Sequence, residues 1–187
     1  MTAGVTAAVP IGLVERFWTA RDAELRLDAG HLSDPEGPYA AWLGDADRVV
    51  TLRTLDDTPC IVMLGAPSSG KTTAVALEVE RLTAAAAVAG TADHILHFDL
   101  RDLSELAELC AAVFGHPELV RWQSGTHRLT LVLDSLDEAL IEMRKLATRL
   151  ATELRALPVE RLRVRIACRT ADWPSVLEHA LGALWDE

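Results

Sequence analysis

Gly65-Ala66-Pro67-Ser68-Ser69-Gly70-Lys71-Thr72 follows the spacing G-x-x-x-x-G-K-[ST]. Each residue type answers a need of a bound phosphate chain. Several backbone N–H groups must point inward, and Gly65 and Gly70 let the main chain approach closely and turn sharply. Ala66, Pro67, Ser68 and Ser69 supply the curved backbone between them. Lys71 can reach the outer phosphates, and the Thr72 hydroxyl can ligate Mg²⁺. Thr73 falls in the first turn of the next element, whose unpaired N–H groups and positive dipole end attract anions. The plainer alternative is a glycine-containing turn with a surface lysine.

A second group of residues is acidic. The apolar run Leu129-Thr130-Leu131-Val132-Leu133 ends in Asp134 and continues Ser135-Leu136-Asp137-Glu138. Carboxylates at the C-terminal ends of parallel strands lie where α/β proteins bind ligands. Asp134 is thus the candidate metal ligand beside Thr72. Glu138 can orient or deprotonate an attacking water, and Asp137 can shape the metal's outer shell. Asp137 and Glu138 also suit the start of a helix, where acids complement the dipole.

The elements that must position these groups read as an alternation of strands and helices. Strands are expected at 60–64, 94–100, 129–134 and 162–168, each apolar or β-branched and bounded by breakers. The glycine loop is followed by a helix rich in good helix formers, with apolar residues on one side. Asp102 with Glu105 predicts a capped helix from Leu103 to Phe114. A turn-rich segment at Gly115-His116-Pro117 leads to the acidic strand. Glu138 to Leu157 reads as one helix, with Leu140, Met143, Leu146, Leu150, Leu154 and Leu157 on one side, ended by Pro158. In the strand 162–168, Arg163 and Arg165 alternate with Val164 and Ile166 and read as a solvated face. That strand ends in Arg169-Thr170. Asp172-Trp173-Pro174 then turns the chain into a last amphipathic helix. Residues 1–57 read as a helical or linker segment: a helix over Ile11 to Leu27, a loop over Asp28 to Pro38, then from Tyr39 to Leu55 either a short helix followed by a strand or one interrupted helix. Tyr39 and Trp42 there either stack on a bound base or pack a linker.

Together these features resemble P-loop NTPases. The order apolar strand, Asp134, small residue, apolar residue, Asp137-Glu138 is similar to the extended Walker B of the NACHT type, within the STAND class of signal-transducing ATPases. The resemblance spans about residues 58–175. Walker A and B carry it specifically. It implies a three-layer α/β fold, a mostly parallel sheet flanked by helices, with the Asp134 strand beside the P-loop strand. It implies ATP as ligand, with GTP as the alternative base, and Mg²⁺ as cofactor. Arg169 matches the position of a sensor that feels the γ-phosphate; its alternative is a surface arginine at a strand end. Such proteins continue into a fifth strand, a lid, a winged helix and repeats, none of which is visible before Glu187. The expectation is therefore a core short of its last strand, with an exposed edge at the sensor strand. Partners or self-association would then act through domains outside this chain.

Composition sets limits. At 187 residues, half of them apolar, the chain can bury one α/β core plus an N-terminal segment. A net charge of −10 argues against broad binding to nucleic-acid backbones. Cys60, Cys110 and Cys168 are far apart and read as small hydrophobes in a reducing, cytoplasmic setting. No secretory signal or membrane-spanning run is apparent. The six histidines form no zinc spacing, and His94 and His97 read as strand-end or surface residues. Three functions fit: a regulatory ATPase switch, a non-catalytic nucleotide-binding or scaffold domain, and a P-loop kinase acting on a small acceptor.

Overall fold

The computed structural model describes residues 16–21 and 49–185, and the chain divides into two compact units, Met1–Asp57 and Thr58–Glu187. In the first unit, β1 (Trp18–Thr19) pairs antiparallel with β2 (Val49–Val50), Trp18 opposite Val50. A 3₁₀ turn at Arg53–Leu55 follows, where the Thr54 hydroxyl donates to the Thr51 carbonyl at 2.8 Å. The strand at Trp18–Thr19 corrects the helix expected over Ile11 to Leu27. An aromatic and a β-branched residue find two valines across the ladder, and that tertiary pairing outweighs a sparse helical pattern. The remainder of that helix, the loop at Asp28 to Pro38, and Tyr39 and Trp42 lie outside the described residues.

The second unit is an α/β fold on one parallel sheet. Its strands are β3 (Cys60–Gly65), β4 (His94–Asp99), β5 (Leu129–Asp134) and β6 (Leu162–Arg169), in the order β3-β6-β5-β4. Six helices flank it: α1 (Lys71–Ala89), α2 (Leu106–Val113), α3 (Pro117–Gln123), α4 (Leu136–Glu142), α5 (Leu146–Arg155) and α6 (Ser175–Trp185). β6 lies between β3 and β5. This corrects the expectation that the Asp134 strand neighbours the P-loop strand, and that the sensor strand forms an edge. Burial follows the order: β5 is buried at every residue and β6 at six of eight, whereas β3 and β4 are buried only in part. A strand flanked on both sides and covered on both faces hides nearly all its residues, so a polar side chain within it must find a partner.

Side chains alternate between faces along each strand. Leu131, Leu133, Val164, Ile166 and Cys168 face the main core with residues of α2 to α6, including Leu109, Trp122, Leu136, Leu150 and Leu177. The opposite face carries Met63, Val132, Arg165 and Ala167, all buried, and α1 contacts all four strands. The layers are thus α1, sheet, and the remaining helices. This arrangement corrects the solvated reading of Arg165, which is 1% exposed and donates from Nη1 to the carbonyls of Thr58 (2.9 Å) and Val164 (3.1 Å). Alternation distinguishes two faces but does not say that both are covered.

Three helix boundaries differ from expectation. The single helix from Glu138 to Leu157 is two, α4 and α5, broken at Met143 (φ −121°, ψ 87°). The break lets α4 seat Leu136, Asp137 and Ala139 while α5 buries Leu146, Leu150 and Leu154. The cap expected from Asp102 and Glu105 does not form. Asp99 instead accepts from the Arg101 N–H and caps a 3₁₀ turn at Leu100–Asp102, so α2 begins only at Leu106. The turn-rich segment after Gly115 contains α3, with Pro117 in its first turn and the His116 ring accepting from the Glu118 N–H. No helix among the described residues is long and apolar enough to cross a membrane.

Candidate functional site

The C-terminal edge of the sheet collects the residues singled out above. β3 ends at Gly65, in register with Arg169 at the end of β6. β5 ends at Asp134, in register with Asp99 at the end of β4. Parallel register alone therefore sets four strand ends side by side, with the loops that follow them above.

The glycine loop connects Gly65 to α1. A Cβ built on Gly65 would lie 2.8 Å from the Ser69 Oγ and 3.5 Å from the Lys71 Cδ, so the loop closes over its own first residue. Ser68 (φ 57°) and Gly70 (φ 79°) take left-handed backbone, which turns the chain through the loop. Gly70 is the N-cap of α1 and offers no side chain to the first-turn N–H groups; no acid stands in that turn either. The helix thus begins with its donors uncapped and its dipole uncompensated, the condition in which an anion is bound. The Lys71 ammonium donates to the carbonyls of Gly65 (2.9 Å) and Ala66 (3.0 Å). Ala66, Pro67, Thr72 and Thr73 are exposed, and Ser69 is partly so.

Across the sheet edge stands an acidic turn. Ser135 is also left-handed (φ 60°, ψ 36°), and its N–H donates to Asp134 Oδ1 at 2.8 Å. Asp134 is 2% exposed, and its Oδ2 is buried with no hydrogen-bond partner. A buried carboxylate oxygen without a donor is costly unless a cation satisfies it. Asp134 and the exposed Thr72 hydroxyl are the residues that fit Mg²⁺, which uses one or two protein oxygens and fills its shell with phosphate and water.

Asp137 and Arg169 meet directly. Asp137 Oδ1 accepts from the Arg169 N–H at 3.0 Å and Oδ2 lies 2.7 Å from Arg169 Nε. Glu138 Oε1 lies 3.6 Å from Arg169 Nη2. The Asp137 carboxylate is therefore taken up by Arg169. The Glu138 side chain is 42% exposed and stays open to the edge. Beneath them Cys168 is fully buried, its thiol pushed up to about 12 by burial and then by the charges of Asp137 and Asp172. Burial likewise pushes the Cys60 thiol up to about 11, against the lowering effect of Arg165. Both thiols stay protonated and unreactive at neutral pH.

Two residues of this edge were absent from the sequence-based set. Asp99 holds Arg101 through its Nε, Nη2 and backbone N–H. Arg101 comes first among the groups that hold the Asp99 carboxyl below its ordinary value of 3.8; the Ser135 hydroxyl is another. Arg101 in turn feels the charges of Glu138 and Asp134, so it belongs to the same electrostatic group. The signal was available: Asp99 ends a parallel strand just as Asp134 does. No protein-family model matches the chain, and a search of curated proteins gives no match.

Proposed function

We propose that residues 58–187 bind ATP with Mg²⁺ and hydrolyse it, as the core of a regulatory NTPase similar to the NACHT type of the STAND class. The observation that carries this reading is the pairing of an open anion cradle at Gly65–Thr73 with a buried, donorless Oδ2 on Asp134 along the same sheet edge. An acceptor-hungry loop and a cation-hungry carboxylate are complementary to a metal-bound triphosphate and to little else. Backbone N–H groups from Gly65 to Thr73 would hold the phosphates. Lys71 would exchange two neutral carbonyls for charged phosphate oxygens, which are the stronger acceptors. Thr72 and Asp134 would hold Mg²⁺, which when bound neutralises charge on the phosphates. Glu138 would take a proton from the water that attacks the γ-phosphorus as the bond to the leaving ADP oxygen breaks. Arg169, opposite Gly65 in register, would meet γ-phosphate charge.

The acidic net charge and free cysteines are consistent with a cytoplasmic protein that acts on nucleotide rather than nucleic acid. Protein partners or self-association would convert the nucleotide state into an output. A second reading, a domain that holds nucleotide without turnover, is favoured by one contact: Arg169 lies beside Glu138 and competes for its charge. Radiolabelled ATP separates the two. Wild type should bind and release phosphate, and Glu138→Gln should bind equally well while turnover falls about 100-fold. Binding without release in wild type selects the second reading. Equal turnover in Glu138→Gln removes Glu138 from the reaction.

A further inference from the structure

Arg169 carries a long side chain at the sheet edge, and an arginine gives up much rotamer freedom when it is fixed. Here it is already fixed. Asp137 is 4% exposed, and both its oxygens engage Arg169: Oδ1 accepts from the backbone N–H and Oδ2 forms an ion pair with Nε at 2.7 Å. An acid in the first turn of a helix ordinarily serves its own helix amides. Asp137 instead reaches across from α4 to β6. The left-handed Ser135 turns α4 so that its first turn lies on β6. The result is a guanidinium anchored at its Nε edge, 35% exposed, on the residue opposite Gly65.

We infer that Asp137 is a positioning residue for Arg169: it holds the guanidinium ready at the sheet edge, so that the site distinguishes a nucleotide bearing a γ-phosphate from one without. This rests on the nucleotide reading above. It extends that reading to a residue that touches neither nucleotide nor metal and acts only through Arg169. A buried acid that merely ties β6 to α4 would affect stability alone. One that positions Arg169 affects the choice between two ligands.

The test is a double-mutant cycle on ligand preference, not on turnover. Dissociation constants for ATPγS and ADP, each with Mg²⁺, are measured by calorimetry for wild type, Arg169→Ala, Asp137→Asn and the double variant. Asp137→Asn keeps the volume and an acceptor for the Arg169 N–H while removing the charge. Expected is a preference for ATPγS in wild type that falls about tenfold in each single variant and no further in the double, with ADP affinity unchanged. Should Asp137→Asn not fold, Asp137→Glu retains the charge one methylene away and should lose part of the preference. A preference unchanged in Asp137→Asn or, failing that variant, in Asp137→Glu, or losses that add in the double variant, overturn the positioning role while leaving nucleotide binding intact. No binding of either nucleotide by wild type overturns the nucleotide reading and this inference together.

Discussion

Between Gly65 and Thr73 the polar groups come from consecutive residues, and most point out of the fold. Between Asp134 and Glu138 they meet groups from other strands: Asp137 pairs with Arg169 on β6, and the Ser135 hydroxyl helps to lower the pKa of the Asp99 carboxyl on β4. The first lip of the sheet edge is open and locally built. The second is largely closed on itself, leaving Oδ2 of Asp134 without a donor and Glu138 open to the edge. An open lip has donors to spend on a ligand, while a closed lip has fixed geometry to offer it. A site that reads the state of its ligand needs both, because contacts made equally to every state of the ligand do not distinguish them.

The largest effect belongs to the open lip. Lys71→Ala removes the only cation of the loop, whose hydrogen bonds to charged oxygens are worth about 1.5–3 kcal/mol. Fluorescent-nucleotide titration should show a dissociation constant weakened about 10- to 100-fold. The melting temperature of the nucleotide-free protein should stay near wild type, since Lys71 bonds only to Gly65 and Ala66 of its own loop. A large loss of stability would show that the loop is not as self-contained as its contacts indicate.

That division also explains what the amino-acid order revealed. The open lip is legible because its chemistry lies in eight consecutive residues, and a strand and helix on either side follow from periodicity. The four strands were legible for the same reason. The closed lip was legible only in part. Asp134 could be placed because it ends an apolar run, but its neighbour could not, since strand order is a tertiary outcome that leaves little local trace. The insertion of β6 between β3 and β5 brings Arg169 opposite Gly65 and gives Asp137 its partner 32 residues away. Arg165 shows the same limit. Its alternation with Val164 and Ile166 is the pattern of a half-solvated strand, and only the helix crossing that face overrides it.

Asp134 is the exception within the closed lip, and its substitution should separate stability from function. Asp134→Asn replaces a buried charged oxygen lacking a donor by a neutral amide of the same shape, which reduces an unfavourable burial. Differential scanning calorimetry of the nucleotide-free protein should show a melting temperature unchanged or raised by about 2–5 °C. The same variant should bind Mg²⁺-ATP about tenfold more weakly and lose sensitivity to EDTA, whereas EDTA should weaken nucleotide binding by wild type. A marked fall in stability would mean that Oδ2 is satisfied in the free protein, and the case for a cation there would lose its main support.

The smallest effect compares the two lips at matched residues. Ser68 and Ser135 are the two non-glycine residues with positive φ among those described, at 57° and 60°. Left-handed backbone costs an L-residue about 1–2 kcal/mol, and glycine recovers this less about 0.5–1 kcal/mol of unfolded-state entropy. On strain alone, Ser68→Gly and Ser135→Gly should each stabilise by a few tenths to about 1 kcal/mol. Ser68 is exposed and should show that gain in urea denaturation. Ser135 is 8% exposed, and its hydroxyl is one of the groups that lower the pKa of the Asp99 carboxyl, so removing it should offset the gain in part or in whole. The pH dependence has a definite sign. Asp99 has a folded pKa below 3.8, so the stability from its partners is complete above that value and is lost as pH falls through the lower folded one. The two glycine variants should therefore differ at neutral pH and converge as pH falls through the folded pKa of Asp99. Equal gains at neutral pH would show that the second serine is merely strained, and that the closed lip is held by Asp137 and Arg169 without help from β4.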